Sequence, residues 1–189
     1  MDPRQYINFL TKIEKLKCNT RHSWSSCGKP ESVAEHSWRA AVMAMLCADE
    51  YPKLDINRVI KMCLIHDFGE AITGDIPSFW KTVQHETEEE NAIASLLSEL
   101  PAEFQKELTD LFDEMNAMQT PEAKLYKAID NMEGVLSHNE ADISTWIERE
   151  YTENLSYGEK NCEWSEWTKA LRKTLREDSE KKIAAEKNT

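Results

Sequence analysis

The chain has 189 residues, of which 35 are acidic and 23 are basic, so its formal net charge is −12, and it contains only five glycines and six prolines. This length predicts one domain spanning residues 1–189. No apolar run approaches the roughly 20 residues of a membrane-spanning helix, and the acidic balance disfavours a nucleic-acid polymer as partner.

Apolar residues recur at spacings of three and four along most of the chain, which predicts an almost entirely helical protein without a convincing strand. The fold class is therefore expected to be all-α, a bundle of about seven or more helices. Asn19–Pro30 is predicted to be a loop, and Gly74–Ser78 a second irregular stretch. The predicted helices are Arg4–Lys17, Ser32–Glu50, Ile56–Gly69, Phe79–Leu100, Ala102–Met118, Pro121–Asn139 and Cys162–Ala185.

Two histidines interrupt apolar helix faces. On the second predicted helix, His36 shares a face with Ala40, and on the third, His66 shares a face with Met62, with Asp67 beside it. Burying unpartnered charges costs several kcal/mol for each ion, and a divalent metal is one way to satisfy such groups. The alternatives are a hydrogen-bonded core histidine at position 36 and a structural pair at positions 66 and 67.

Two further carboxylates extend this pattern. Glu70 follows His66 by four residues and Asp67 by three, so it lies one turn further along the same side. Such a position suits a general base that acts on metal-bound water. Asp130 lies at the edge of the apolar stripe in KLYKAIDNMEGVL and is the candidate for a fourth ligand, although it could equally be a solvated helix residue.

Four ordered segments, VAEHSWR, LIHDFGE, TGDIP and KAIDNME, resemble the signature motifs of the HD-domain phosphohydrolases, and in particular their 5′-deoxynucleotidase branch. The similarity extends from about Arg21 to Glu140, and this motif-bearing core is followed by a C-terminal helical segment at about residues 160–186. The resemblance implies a single HD domain that binds one divalent metal, typically Co²⁺, Mn²⁺ or Mg²⁺. The implied ligands are His36, His66, Asp67 and Asp130.

The same resemblance implies roles for residues around the metal. Glu70 matches the acid that activates the attacking water, and Arg21 matches the arginine that holds the substrate phosphate. Trp24 matches an aromatic residue that positions the nucleoside, and Asp75 an aspartate near the sugar hydroxyl. His22 and Ser23 separate Arg21 from Trp24, whereas some bacterial members place the two side by side, so base selectivity does not transfer. Without the resemblance, Arg21 is a surface cation, Trp24 a loop anchor and Asp75 a turn residue.

The implied reaction is hydrolysis of a deoxynucleoside 5′-monophosphate to the deoxynucleoside and orthophosphate. Two alternatives remain open: a deoxynucleoside triphosphohydrolase or other nucleotide phosphohydrolase that uses the same ligands, and a non-catalytic helical binding module with a structural metal. Glu70 disfavours the second, because a structural site needs no spare carboxylate.

The sequence also indicates where the protein works. No basic-then-apolar leader is visible, and the five cysteines form no CxxC pair, which favours reduced thiols in the cytoplasm. The expected partner is a small nucleotide, without a membrane. A homodimer is a further expectation, since related proteins are often dimers, and Trp164 and Trp167 are expected to pack in the core or in a subunit interface.

Overall fold

A computed structural model describes residues 1–77 and 79–186. Ser78, at the end of the second predicted irregular stretch, and residues 187–189, at the end of the predicted domain, lie outside the described residues. The helices are α1 (Pro3–Ile13), α2 (Val33–Leu46), α3 (Ile56–Ile65), α4 (Glu70–Thr73), α5 (Val83–Leu97), α6 (Ala102–Ala117), α7 (Pro121–Glu140), α8 (Glu150–Glu153), α9 (Glu159–Cys162) and α10 (Glu166–Glu186), and the strands are β1 (Thr20–Trp24) and β2 (Pro30–Ser32).

The expected all-α class is confirmed, and side-chain caps fix where the main helices begin. Ser32 starts α2 with a reciprocal cap: the Glu35 backbone N–H donates to Ser32 Oγ at 3.3 Å, and the Ser32 backbone N–H donates to the Glu35 carboxylate at 2.9 Å. Thr120 starts α7 in a similar way by accepting from the backbone N–H of Ala123 at 3.1 Å. These caps satisfy N–H groups that the first turn of a helix leaves without partners.

The expectation of no strand was wrong, as was the prediction that Asn19–Pro30 is entirely a loop. β1 and β2 pair in antiparallel fashion, with Thr20 opposite Ser32 and Trp24 opposite Pro30. Gly28 has a φ of 80° in the connecting turn, a conformation that glycine adopts without steric cost. The strands have five and three residues, which is too short for an alternating pattern to stand out.

The third predicted helix, Ile56–Gly69, is divided in the structure. α3 ends at Ile65, a turn carries Asp67, and α4 begins at Glu70. At Gly69 a Cβ atom would lie 2.7 Å from Glu89 Cγ, so this turn packs tightly against α5. The interruption places two predicted site residues on a turn between helices rather than on one continuous helix.

Helix α7 occupies the centre of the molecule, where it packs against α2, α3, α6, α9, α10 and β1. Its fully buried residues include Leu125, Ile129 and Met132. Trp164 stacks on Tyr51 with ring centroids 5.5 Å apart, so this tryptophan packs within the chain. Within residues 1–77 and 79–186, none of the helices has the length and apolar character of a membrane span.

Candidate active site

The four predicted metal ligands come from three elements and meet at one point. His36 Nε2 lies 3.2 Å from His66 Nε2 and 3.1 Å from Asp130 Oδ1. Asp67 Oδ2 lies 3.1 Å from His66 Nε2 and 4.0 Å from His36 Nε2. Ligand atoms about 2.1 Å from a single ion are about 3.0–3.4 Å apart when adjacent and up to about 4.2 Å apart when opposite, so these spacings fit a shared metal.

The hydrogen bonds of the two imidazole rings determine which ring nitrogen is available to bind a cation. His36 Nδ1 donates to the Glu133 carboxylate, and His66 Nδ1 donates to the Cys63 backbone carbonyl at 2.9 Å. Each ring in its neutral form therefore directs the lone pair of Nε2 into the cluster, where the Asp67 and Asp130 carboxylates are acceptors as well. Acceptors that converge without a donor require a cation, so two nitrogens and two oxygens fit a divalent metal.

The electrostatic field at the cluster is strongly negative. Burial lowers the pKa of His66, but the carboxylates of Asp67 and Asp130 outweigh burial and raise it to about 10. Burial by itself raises the pKa of Glu133. The charges of His36 and of nearby arginines outweigh this effect and lower the pKa to about 2. The same field attracts a divalent cation, which competes with protons for the imidazole nitrogens.

Glu70 lies next to the cluster with a free carboxylate oxygen. Its side chain is only 3% exposed, and Oε2 has no hydrogen-bond partner among the described residues. Burial, followed by the charges of Asp67 and Asp75, raises the pKa of Glu70 to about 9. Lys81 Nζ, 3.9 Å from Oε1, partly offsets this effect. A buried carboxylate with a raised pKa beside a metal site has the properties of a general base.

Arg21 extends from β1 over the cluster. Its Nη1 lies 3.9 Å from Asp67 Oδ2, and its Nε lies 3.5 Å from Glu31 Oε2 without forming a hydrogen bond. The guanidinium lies against Gly134 of α7, where a Cβ would be in ordinary van der Waals contact with Arg21 Nη2 at 3.5 Å. The guanidinium is therefore held close to the metal site while part of its hydrogen-bonding capacity stays unused.

A cavity of about 490 Å³ connects these groups. Its lining includes three of the predicted ligands, His66, Asp67 and Asp130, together with Glu70 and Arg21. The predicted sugar-binding residue, Asp75, is also part of the lining, whereas Trp24 is not. Trp24 packs edge-to-face on the His22 ring at 5.5 Å, and His22 lies in the cavity wall, so Trp24 supports the wall from behind.

Comparisons with known proteins identify the family of this chain. Residues 13–172 match the family model described as HD domain. The chain belongs to the HD domain family. The 5′-deoxynucleotidase HDDC2 of Bos taurus is 36% identical over 141 residues, which are 72% of this chain and 68% of that protein. The 5′-deoxynucleotidase hdd1 of Schizosaccharomyces pombe is 34% identical over 135 residues, or 67% of each chain.

A solved structure described as a predicted metal-dependent phosphohydrolase, from Magnetospirillum magnetotacticum, shares this architecture. It matches with a TM-score of 0.81 and 28% sequence identity, over 95% of this chain and 93% of that chain. A conserved hypothetical protein from Pyrococcus furiosus matches with a TM-score of 0.68 and 29% identity, over 91% of this chain and 98% of that chain. The resemblance to HD-domain proteins drawn from the sequence motifs is thus confirmed.

The cluster has two charged neighbours, Glu133 and Lys127, that were not predicted from the motifs in the sequence. Glu133 is fully buried beneath His36, where it also accepts a hydrogen bond from Arg39 Nε at 2.6 Å. Lys127 Nζ lies 2.7 Å from Asp130 Oδ2 and holds the oxygen that faces away from the cluster. A signal for Glu133 exists in the sequence, because it stands on the apolar face of α7, four residues after Ile129.

Proposed function

We propose that this HD-domain protein is a metal-dependent 5′-deoxynucleotidase that hydrolyses deoxynucleoside 5′-monophosphates to the deoxynucleoside and orthophosphate. The observation that carries the proposal is the convergence of four acceptors, from His36, His66, Asp67 and Asp130. Three of them, His66, Asp67 and Asp130, line a cavity whose wall also includes Arg21. The names of the relatives from Bos taurus and Schizosaccharomyces pombe support the same reaction.

The four acceptors would hold one divalent ion. Bound there, such an ion lowers the pKa of water and polarises a phosphate oxygen. Two imidazole nitrogens in the ligand set favour a transition ion such as Mn²⁺ or Co²⁺ over Mg²⁺, which prefers oxygen ligands. Glu133 would keep His36 in the tautomer that leaves Nε2 free for the ion.

The remaining residues would each act on a different part of the substrate or on the attacking water. Glu70 accepts a proton from the attacking water through its unpaired Oε2 as that water attacks phosphorus and the bond between phosphorus and the 5′-oxygen breaks. Glu70 then returns the proton to the departing 5′-oxygen, which leaves as the alcohol. Arg21 donates to the phosphate oxygens and offsets their negative charge. Asp75 accepts a hydrogen bond from a sugar hydroxyl, and Trp24 positions the nucleoside indirectly, by supporting His22.

The test is product analysis with the Mn²⁺- or Co²⁺-loaded protein on dAMP, dGMP, dCMP and dTMP, and on the matching triphosphates. Orthophosphate and deoxynucleoside from the monophosphates are expected. Triphosphate or pyrophosphate released from the triphosphates would instead indicate a triphosphohydrolase. A loaded, folded protein that is inert on every nucleotide would refute the proposal and favour a binding module with a structural metal.

The proposal includes two further properties, a cytoplasmic location and formation of a homodimer. A cytoplasmic location is supported by the five cysteines, all of which are free thiols. Homodimer formation stays a prediction, and light scattering of the metal-loaded protein at several concentrations measures it.

A further inference from the structure

The cavity continues well past the proposed metal site along one face of α7. Asp130, Gly134 and His138 follow one another at four-residue spacing, and all three line the cavity. At a rise of about 1.5 Å per residue, the eight residues from Asp130 to His138 cover about 12 Å. Arg21 lies beside Gly134, between the two ends. A phosphate held by Arg21 therefore leaves the far end of the cavity for another part of the substrate.

The far end carries polar atoms without partners. Glu150 is 3% exposed, and its Oε2 accepts a hydrogen bond from the Ile147 backbone N–H at 2.8 Å. Its Oε1 lies 3.3 Å from His22 Nε2 and 3.6 Å from His138 Nε2, yet makes no hydrogen bond of acceptable geometry within the described chain. One end of the Asn154 amide lies 2.9 Å from His138 Nδ1, and its other end has no partner.

Unpaired buried atoms of this kind are uncommon, because most buried polar groups in folded proteins are hydrogen-bonded. Here His22 Nε2 and Glu150 Oε1 lie 3.3 Å apart without a hydrogen bond of acceptable geometry, and one end of the Asn154 amide also has no partner. All three residues line the same cavity. Such a set points to a ligand with a polar edge. Phe79 also lines the cavity, with its ring centroid 6.4 Å from that of His22, and the two rings offer surfaces for stacking.

We propose that this end of the cavity is a nucleobase subsite in which Glu150 Oε1 accepts a hydrogen bond from an exocyclic amino group of the base. The inference rests on the proposed nucleotidase function. An ionised carboxylate only accepts hydrogen bonds, so it pairs with the amino group of cytosine and repels the carbonyl oxygen that uracil has at the same position. The subsite therefore selects amino-bearing bases.

The decisive comparison is the ratio of kcat/KM for dCMP to that for dUMP, which differ at this edge of the base. A well-placed hydrogen bond to a base edge discriminates against the wrong base, so the wild-type protein is expected to prefer dCMP by roughly 5- to 150-fold. In Glu150→Gln, the amide oxygen can still accept from Ile147 while its NH₂ replaces Oε1. The ratio is then expected to fall by about tenfold, because the NH₂ donates to the uracil carbonyl.

Glu148→Gln is the matched control, because Glu148 is exposed and lies two residues away. Its dCMP to dUMP ratio should equal that of the wild type. A merely structural role of Glu150 would lower both rates together and leave the ratio unchanged, which would overturn the inference. A wild-type ratio near one would overturn it as well, whatever the stability of the variant.

Deoxyribose 5-phosphate separates failure of the subsite from failure of the proposed function, since it carries the scissile phosphate without a base. Hydrolysis of dCMP, dUMP and deoxyribose 5-phosphate with equal kcat/KM overturns the subsite alone. A metal-loaded protein inert on all three overturns the nucleotidase function and the subsite with it. The supporting outcome is kcat/KM that is highest for dCMP, with Glu150→Gln shifting the balance toward dUMP.

Discussion

Glu70→Gln should separate the chemistry of the site from its stability. The substitution keeps the shape of the side chain but removes the proton acceptor, and general-base catalysis typically contributes about 10²–10⁴-fold. We expect kcat to fall within that range while the metal content stays at the wild-type level, because Glu70 is not among the four proposed ligands. Asp67→Asn, which removes a proposed ligand, is expected to lose both metal and turnover.

Glu70→Gln should also be more stable than the wild type when metal is absent. Burial and the nearby carboxylates raise the pKa of Glu70 to about 9 in the folded protein. At any pH above the unfolded pKa, the Glu70 carboxyl therefore lowers the free energy of unfolding. This cost grows as pH rises from about 4.5 toward 9. A neutral amide avoids this cost, and because each pH unit above the unfolded pKa is worth about 1.4 kcal/mol, the free energy of unfolding at pH 8 should rise by up to about 5 kcal/mol. At pH 4, where Glu70 is protonated in both states, the difference should vanish.

Calorimetry in the presence of a chelator measures this effect, since each kcal/mol shifts the Tm of a chain of this size by about 2–4 °C. Glu88→Gln is the control, because Glu88 is an exposed residue of α5 outside the cavity lining. Wild-type kcat in Glu70→Gln would refute the general-base role. A Tm at pH 8 equal to that of the wild type would refute the buried-charge argument, and loss of metal would make Glu70 a ligand.

Three further substitutions address neighbouring parts of the structure. Glu133→Gln weakens the orientation of His36 and should lower metal affinity about 10–100-fold, as measured by metal titration. Arg21→Lys replaces a two-pronged donor by a single charge and should raise KM for dAMP at least severalfold, as measured by steady-state kinetics. Gly158→Ala should destabilise the protein by about 1–3 kcal/mol in urea unfolding, because a Cβ there would lie 2.4 Å from Asn131 Cβ and the residue has a φ of 72°.

Each of these has its own control and contrary result. Glu140→Gln alters a more exposed carboxylate that also pairs with Arg39, and Glu133→Gln with the same metal affinity as Glu140→Gln would show that the contact to His36 is immaterial. For Arg21→Lys the control is Lys29→Ala. If Arg21→Lys leaves KM for dAMP unchanged, Arg21 does not bind the substrate phosphate. Gly28→Ala tests positive φ without crowding, since a Cβ there meets nothing within 4 Å. An equal loss of unfolding free energy in Gly28→Ala and Gly158→Ala would show that the contact with Asn131 does not contribute to the effect at position 158.

Most of the helices could be predicted from the sequence, because the spacing of apolar residues that indicates a helix lies within each segment. The sixth predicted helix, Pro121–Asn139, is observed as α7 (Pro121–Glu140), because Pro121 suits a first turn and the apolar stripe continues without interruption. His36, His66, Asp67 and Asp130 were found as exceptions to that periodicity, and the structure brings them together. Their roles as ligands remain proposals, as do the roles of Glu70, Arg21, Trp24 and Asp75.

What the sequence could not supply depends on contacts between distant segments. Glu133 meets His36 across 97 residues, and only the packing of α7 against α2 places them together. The wall formed by Glu150 and Asn154 lies in a segment of short helices, where no long apolar stripe marks which side chains face inward. The hairpin that carries Arg21 is stabilised by pairing between short strands, a contact that side-chain periodicity does not record.

Titration of the metal-free protein with Mn²⁺ tests the central claim most directly, with orthophosphate release from dAMP as the readout. The account predicts no release after chelation and a rise that saturates at one ion per chain, with deoxyadenosine formed in equal amount. Release that persists without metal, or its absence at every Mn²⁺ and Co²⁺ concentration, would contradict a metal-dependent deoxynucleotidase built on His36, His66, Asp67 and Asp130.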